Sequence, residues 1–365
     1  MKIAFMGCRG IPARYGGFET MTEQVAVRLA AQGHEILVYC RARYVAKDAV
    51  SLPGLRRVFL PAVYTKHWET LSHTFFCVLH QCLRPGGVVL LMNNANAVFI
   101  PLLRLFGKKV FVHVDGLEWR RDKWGFFAKT WHRLSEQWAV SLAHGLVSDS
   151  HVIQAYYEKT HGRKPAYIAY GHGAGNVPDA LGLKKFELES GKYLLFVGRL
   201  EPENHPLNIV EAYARIAATE RPLPLALVGW APYAQEYVQK MHAAANERVR
   251  FLGGVYSEDY RLLLHHCYAF LHASSVGGTH PVLVEAMGAG RPILTSDIPE
   301  NRETVGNTAV FFSLEENHLA EKIRWLLNHP QDLKELGSQA SQRAREHFDW
   351  DKVTENYEAF FLGRI

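Results

Sequence analysis

The sequence predicts an α/β protein built from two doubly wound, Rossmann-like domains. Short apolar runs alternate with amphipathic segments from one end of the chain to the other, the pattern of parallel strands covered by helices. At 365 residues the chain is long for a single core and suits two. Glycine-rich turns follow several of the apolar runs, at the strand ends where such sheets bind ligands.

Taken in order, residues 2–8 (KIAFMGC) form a strand, and RGIPARYGGFET follows as a loop at its carboxyl end. Helical spacing begins at 21 and runs to 32, with Val25, Leu29 and Ala30 on one face; Gly33 stops it and 35–40 is the next strand. The 9–20 loop lacks the GxGxxG spacing of a dinucleotide site, so a nicotinamide cofactor is rejected. Gly16 and Gly17 can cradle a ligand through backbone N–H groups or simply make a tight turn. Residues 56–60, 88–92, 109–113 and 145–149 read as further strands, 66–84 as an aromatic amphipathic stretch and 150–161 as a helix. Asp115 and Glu118 follow the 109–113 strand, where each is either a catalytic carboxylate or a turn and ion-pair residue.

Residues 173–191, rich in Gly and charge, are the best linker, leaving 1–172 and 192–350 as domains. The second opens with YLLFVGRLEPENHP. Arg199, at a strand's carboxyl end, has the forked donors that suit a diphosphate. Strands at 224–229, 249–252 and 268–272 alternate with helices at 207–219, 232–245 and 258–266. The loop Gly253–Tyr256 could cover a base through backbone bonds and the Tyr256 ring. Residues 271–297 read as strand, glycine turn, helix, turn and strand. A helix starting near Pro281 aims its first N–H groups and positive dipole end above the turn, which suits a phosphate. Gly277 and Gly278 allow positive φ and close backbone approach to a ligand, and Glu285, one turn on, can accept from sugar hydroxyls. The plainer reading is an ordinary βαβ unit. The tail, 316–361, is helical with a break at 348–350.

Composition narrows the partners. The chain is 48% hydrophobic and 21% charged, an ordinary globular balance. Residues 1–170 hold 22 Lys and Arg against 11 Asp and Glu, which points to an anionic partner. Residues 119–133 mix cations with large aromatics and suit anionic lipid headgroups, single-stranded nucleic acid or a solvated helix; no nucleic-acid motif accompanies them. No apolar run reaches the about 18–20 residues of a membrane span. Five cysteines without CxxC or metal spacing, and no signal peptide, lead us to expect reduced thiols in a cytoplasmic protein, and no metal site.

Four separated motifs, RGIPARYGGFET, DGLEW, GRLEPEN and GGTHPVLVE, resemble those of retaining family 4 glycosyltransferases, and the first is similar to a rhamnosyltransferase-like subgroup. The resemblance implies a GT-B fold with two domains facing a cleft and residues 351–365 packed back on the first. It implies metal-independent, retaining transfer from a nucleotide-diphosphate sugar, with no cofactor, onto a saccharide or lipid-linked saccharide. The donor side would be Gly198, Arg199, Asn204, Gly253, Tyr256, Gly277, Gly278, Thr279, His280, Pro281, Val282 and Glu285. The acceptor side would be Gly16, Gly17, Phe18, Glu19 and Asp115. Asp115, Glu118, Arg199 and Glu285 are the expected catalytic residues. Relatives carry Glu where this chain has Gly277 and Lys where it has Asn204. The missing Glu, together with the first motif, favours dTDP-L-rhamnose as donor; the alternatives are a UDP- or GDP-hexose donor, or a non-catalytic nucleotide-sugar-binding protein of the same fold. The protein is expected at the inner face of the plasma membrane.

Overall fold

The computed structural model describes the chain except residues 15, 47–52, 66–67, 115, 122–123, 174, 232–233 and 316. It divides into two units, Met1–Tyr170 with Trp350–Ile365, and Gly171–Asp349. The first unit runs β1 (Lys2–Met6), α1 (Gly17–Ala31), β2 (Glu35–Cys40), β3 (Leu55–Phe59), α2 (Glu69–Cys82), β4 (Val88–Met92), α3 (Ile100–Leu105), β5 (Lys109–His113), α4 (Phe126–Leu142), β6 (Gly145–Ser148), α5 (His151–His161) and β7 (Ala166–Tyr167). Its seven strands are parallel, in the order β3-β2-β1-β4-β5-β6-β7. β1 therefore has later strands on both sides. The sequence order reverses between β1 and β4, and the loops after those two strands flank the crevice where doubly wound sheets take ligands.

The second unit repeats the plan with β8 (Leu194–Val197), α6 (Pro206–Ala217), β9 (Leu225–Val228), α7 (Gln235–Ala244), β10 (Val249–Gly253), α8 (Ser257–His266), β11 (Ala269–His272), α9 (Pro281–Gly288), β12 (Ile293–Ser296), α10 (Pro299–Val305), β13 (Val310–Phe312), α11 (His318–Asn328) and α12 (Pro330–His347). The order is β10-β9-β8-β11-β12-β13, and the reversal falls between β8 and β11. The last helix, α13 (Trp350–Phe361), belongs to the first unit and packs on α1. It buries Trp350, Val353, Tyr357, Phe360 and Phe361 in the same core as Val25 and Leu29 of α1. No helix among the described residues is long and apolar enough to cross a membrane.

Three expectations need correction. The first strand ends at Met6, because Gly7 turns the chain with φ +98° and a side chain there would strike the Met92 carbonyl. Helix α1 begins at Gly17, four residues before the apolar periodicity shows it, so Gly17, Phe18 and Glu19 form its first turn and not a loop. Residues 175–191 of the expected linker are packed along α8. His266 Nε2 is 2.8 Å from the Pro178 carbonyl, Ser190 Oγ 3.0 Å from His266 Nδ1, and Leu183 is buried.

Candidate active site

In the second unit, the loops after β8 and β11 meet at the reversal point. Asn204 Nδ2 donates to the Arg199 carbonyl (2.8 Å), and Ser274 Oγ donates to Asn204 Oδ1 (3.0 Å). Ser275 N donates to the Glu203 carbonyl (3.0 Å), and His205 Nε2 lies 2.9 Å from Ser275 Oγ. Asn204 was expected on the donor through its place in the motif. Its nitrogen closes the loop after β8 on the Arg199 carbonyl, and its oxygen ties that loop to Ser274 of the loop after β11. The Arg199 guanidinium stays 28% exposed, with one nitrogen 3.2 Å from Glu201, and its remaining donors can take an anion. Gly198 and Gly229 lie back to back: a Cβ on Gly229 would fall 1.8 Å from the Gly198 carbonyl oxygen.

Helix α9 starts as expected at Pro281, and no side chain caps it. Pro281 carries no N–H, and the Leu283 and Val284 N–H groups turn back to the His280 carbonyl (2.9 and 3.3 Å), which leaves the Val282 N–H at the helix start with Gly277, Gly278 and Thr279 buried beside it. Gly277 is not in the left-handed region. Its lack of a side chain matters for another reason: a Cβ there would sit 2.4 Å from His280 Nε2. The His280 ring therefore fills the space over Gly277. Asn301 Nδ2 donates to Ser296 O (3.1 Å), which turns Asn301 Oδ1 toward His280 Nδ1 at 3.1 Å and makes Nδ1 the protonated nitrogen. His272 is buried against the His280 ring at 4.5 Å, and burial first, then that neighbouring imidazole, push its own well below the usual histidine range.

Glu285 accepts a hydrogen bond from the Tyr260 hydroxyl of α8. Burial raises its carboxyl to about 7, against the lowering effect of that bond. Tyr256 stands before α8, its hydroxyl accepting from Trp230 Nε1 at 2.8 Å. Gly253, φ +68°, ends β10 and accepts from Gly229 N (2.8 Å). Tyr260 and Trp230 were missed from the sequence. Trp230 could have been found, since it stands two residues beyond an apolar strand; nothing in the local pattern singles out Tyr260.

In the first unit, the loop after β1 is tied down by two glutamates of α1. Glu19 Oε1 accepts from Arg9 N (2.8 Å), and Glu23 Oε2 accepts from Ala13 N (3.0 Å). Glu19 is buried, so it orders the loop whatever else it touches. Gly16 is the N-cap of α1 in extended backbone, and its carbonyl accepts from Thr20 Oγ1 at 3.4 Å. Phe18 packs edge-on against His113 (5.2 Å), whose imidazole burial pushes down to about 4. Glu118 is buried with one carboxylate oxygen on Arg121 and the other 3.1 Å from Trp124 Nε1. Both contacts brace the Glu118 side chain. Asp115 lies outside the described residues.

Both sheets, their helices and the two reversal points define a pair of Rossmann-like units of the GT-B glycosyltransferase type. Residues 183–346 match the family model described as Glycosyl transferases group 1, and residues 86–173 match a domain of unknown function, DUF1972. The first of these matches lies within the second unit. The chain is 24% identical to O-antigen chain mannosyltransferase B of Escherichia coli, over 47% of this chain and 46% of that one. It is 27% identical to D-rhamnosyltransferase WbpZ of Pseudomonas aeruginosa, over 57% and 55%. The chain spans about half the length of these two relatives, but 98% of spore coat protein SA of Bacillus subtilis, at 25% identity over 98% of its own length. Among solved structures, sucrose-phosphate synthase of Thermosynechococcus elongatus superposes with TM-score 0.80 at 20% identity, covering 99% of this chain and 98% of that one. HepE of Anabaena, in complex with UDP-glucose, gives 0.77 at 18% identity, covering 99% of each.

Proposed function

We propose that the protein is a retaining, metal-independent glycosyltransferase. It moves a sugar, with L-rhamnose from dTDP-L-rhamnose as first choice, onto a saccharide or lipid-linked saccharide in polysaccharide assembly. The observation that carries the reading is that Arg199 and the start of α9, which no side chain caps, follow the neighbouring strands β8 and β11 at the reversal point of the second sheet. A diphosphate leaving group needs its growing charge met. One guanidinium and a set of oriented amides meet it without reorganising as the bond breaks. Glu285, held by Tyr260, takes the nucleoside ribose, and the Tyr256 ring, held by Trp230, lies along the base. Thr279 and His280 line the sugar, and the Val282 N–H faces the diphosphate. The acceptor oxygen attacks on the face the diphosphate leaves, and the leaving phosphate takes the acceptor proton, so no protein nucleophile is called for. Glu19, Phe18 and Asp115 serve the acceptor side. Imidazole rather than carboxylate over Gly277 supports a donor with an altered hydroxyl pattern.

Replacing Arg199 or Glu285 by Ala should lower transfer about 100-fold or more while leaving the circular dichroism unchanged. Unchanged turnover in both variants refutes the reading. A melting-temperature series with dTDP-, UDP- and GDP-sugars ranks the donors, since a ligand that binds only the folded state stabilises it. We place the work at an anionic membrane surface. At the start of α4, Phe126 and Phe127 are 79% and 88% exposed, and the guanidiniums of Arg120 and Arg133 lie over the nearby Trp119 ring (5.3 and 4.6 Å). Flotation with anionic but not zwitterionic vesicles, lost in a Phe126→Ser/Phe127→Ser double variant, is the expected result; equal flotation of that variant rejects it.

A further inference from the structure

The first unit has a second opening, at the amino edge of its sheet. Strand residues alternate between faces, and Ala4 of β1, Leu37 of β2 and Arg56 of β3 stand side by side in register on the face that α2 covers. Lys2 and Glu35 lie on the same face, one pair nearer the strand starts. α2 ends at Cys82, and between its last turn and these strands lies a cavity of about 490 Å³. Gln81, Leu83 and Arg84 line it from the helix end, and Lys2, Glu35 and Arg56 from the sheet. It is at the opposite edge from the loops after β1 and β4, so it is separate from the crevice between them.

The lining is unbalanced in charge. Lys2, Arg56 and Arg84 stand against one carboxylate, Glu35, which lies 3.9 Å from Lys2 in an exposed pair. Among the described residues, neither the Arg56 nor the Arg84 guanidinium has an ion pair or a hydrogen bond. Burial first, then Arg84 and Arg56, push the His80 imidazole below its ordinary value, so both guanidiniums act at the end of α2. Behind the turn, Lys108 is buried and its Nζ donates to the carbonyls of Arg84 and Gly86, the latter at 2.8 Å, so carbonyls and not a carboxylate take its charge. The floor adds a neutral donor. Gln81 is 5% exposed and its Oε1 accepts from the Tyr39 hydroxyl at 2.9 Å, while Nε2 has no partner among the described residues. A Cβ on Gly87 would lie 3.8 Å from that Nε2 and 3.2 Å from the Lys2 carbonyl oxygen, which puts the donor beside Lys2. A donor so enclosed is costly until a ligand or water meets it. Leu83, 85% exposed, forms the rim, and exposed Leu79 and Phe76 continue from it along α2 at helical spacing.

We propose that this cavity binds a phosphoryl group through Arg56, Arg84 and the Gln81 amide. Three cations against one carboxylate leave two positive charges in the lining, about the charge of a phosphomonoester. Guanidinium forks match its oxygens, and a cleft lined by one sign of charge concentrates such anions. The site lies outside the proposed transfer reaction and does not rest on that reading. The phosphoryl group has two sources, a soluble phosphate ester or an anionic lipid headgroup whose acyl chains run along Leu83, Leu79 and Phe76.

Calorimetric titration of the full chain with glycerol phosphate and with dihexanoyl phosphatidic acid, the same headgroup without and with acyl chains and both as soluble monomers, separates them. Saturable binding of either, weakened about 10-fold in Arg56→Gln and again in Arg84→Gln, is expected. Neither guanidinium is bonded to the described residues, so both variants should melt with the parent chain. Arg221→Gln, a charge-matched change in an exposed residue of the second unit, should leave both titrations as they are. Tighter binding of the acylated probe, brought down to that of glycerol phosphate in Leu83→Ser, assigns a lipid headgroup; equal binding of the two assigns a soluble ester. No binding of either probe, or equal losses in all three arginine variants, overturns the site.

Discussion

Glu285 shows how one contact sets a residue's chemistry. Its carboxyl, held up to about 7 by burial, is protonated through much of the range in which a surface glutamate is ionised. A folded-state value above the ordinary one gives stability that is present at low pH and lost as pH rises through about 7. The unliganded protein should therefore lose some stability between pH 5 and 8, and Glu285→Gln should flatten that slope. Ribose hydroxyls donate to the ionised form, so donor affinity should rise over the same interval. Because the Tyr260 hydroxyl bond lowers the Glu285 value, Tyr260→Phe should move the rise toward higher pH; an unmoved midpoint in calorimetric titrations would refute the coupling. Buried imidazoles run the other way. His73 is pushed down to about 3 and His113 to about 4, chiefly by burial, so their contribution is present above pH 6.5 and lost as pH falls toward 4. Acid melting monitored by circular dichroism should be milder in His113→Phe, which keeps the packing against Phe18 and has nothing to protonate.

At the scale of elements, the start of α9 depends on how that helix is held. α12 packs along it, and Gly337 lets the two approach so closely that a Cβ would fall 2.6 Å from the Gly290 carbonyl oxygen. The obstacle is backbone, which cannot swing aside. Gly337→Ala should cost about 1–3 kcal/mol in urea unfolding, and it should weaken donor binding as well if α9 is displaced. The expected boundaries were good where punctuation is local: Pro281 opens α9, and Gly33 follows the end of α1. They failed at the start of α1. There the first turn carries Gly17 and Phe18 in place of apolar periodicity, and its position is stabilised by Glu19 and Glu23 accepting from Arg9 N and Ala13 N. The periodicity that marks a helix records only its buried face, and a first turn bonded to a loop has none.

For the whole molecule, the first unit is completed by the last sixteen residues of the chain. Phe360 lies so close to β6 that a Cβ on Gly145 would touch its ring at 2.7 Å. Tyr357 and Phe361 share the core of β1 and α1. Truncating a buried aromatic of this kind costs about 3–5 kcal/mol, a large part of a domain's margin. A chain stopped at residue 349 should lose the calorimetric transition of the first unit and keep that of the second. Phe360→Ala should lower the first by several degrees. A truncated chain that melts like the full one would show that α13 contributes nothing.

From its own order of residues, the chain determines a repeated α/β plan, the glycine and proline punctuation around α9, and the placing of Arg199 and Glu285 at or near strand carboxyl ends. Those are consequences of neighbours within a few positions, which is the range over which backbone preference and periodicity act. Only the folded molecule decides what those side chains are bonded to. Asn204 ties the loop after β8 to Ser274, Glu118 is braced by Arg121 and Trp124, His280 fills the space above Gly277, and Gln81 accepts from the Tyr39 hydroxyl. Each of these is a contact across elements, and a protonation state or an occupied lone pair is set by whichever group tertiary packing brings within hydrogen-bond distance.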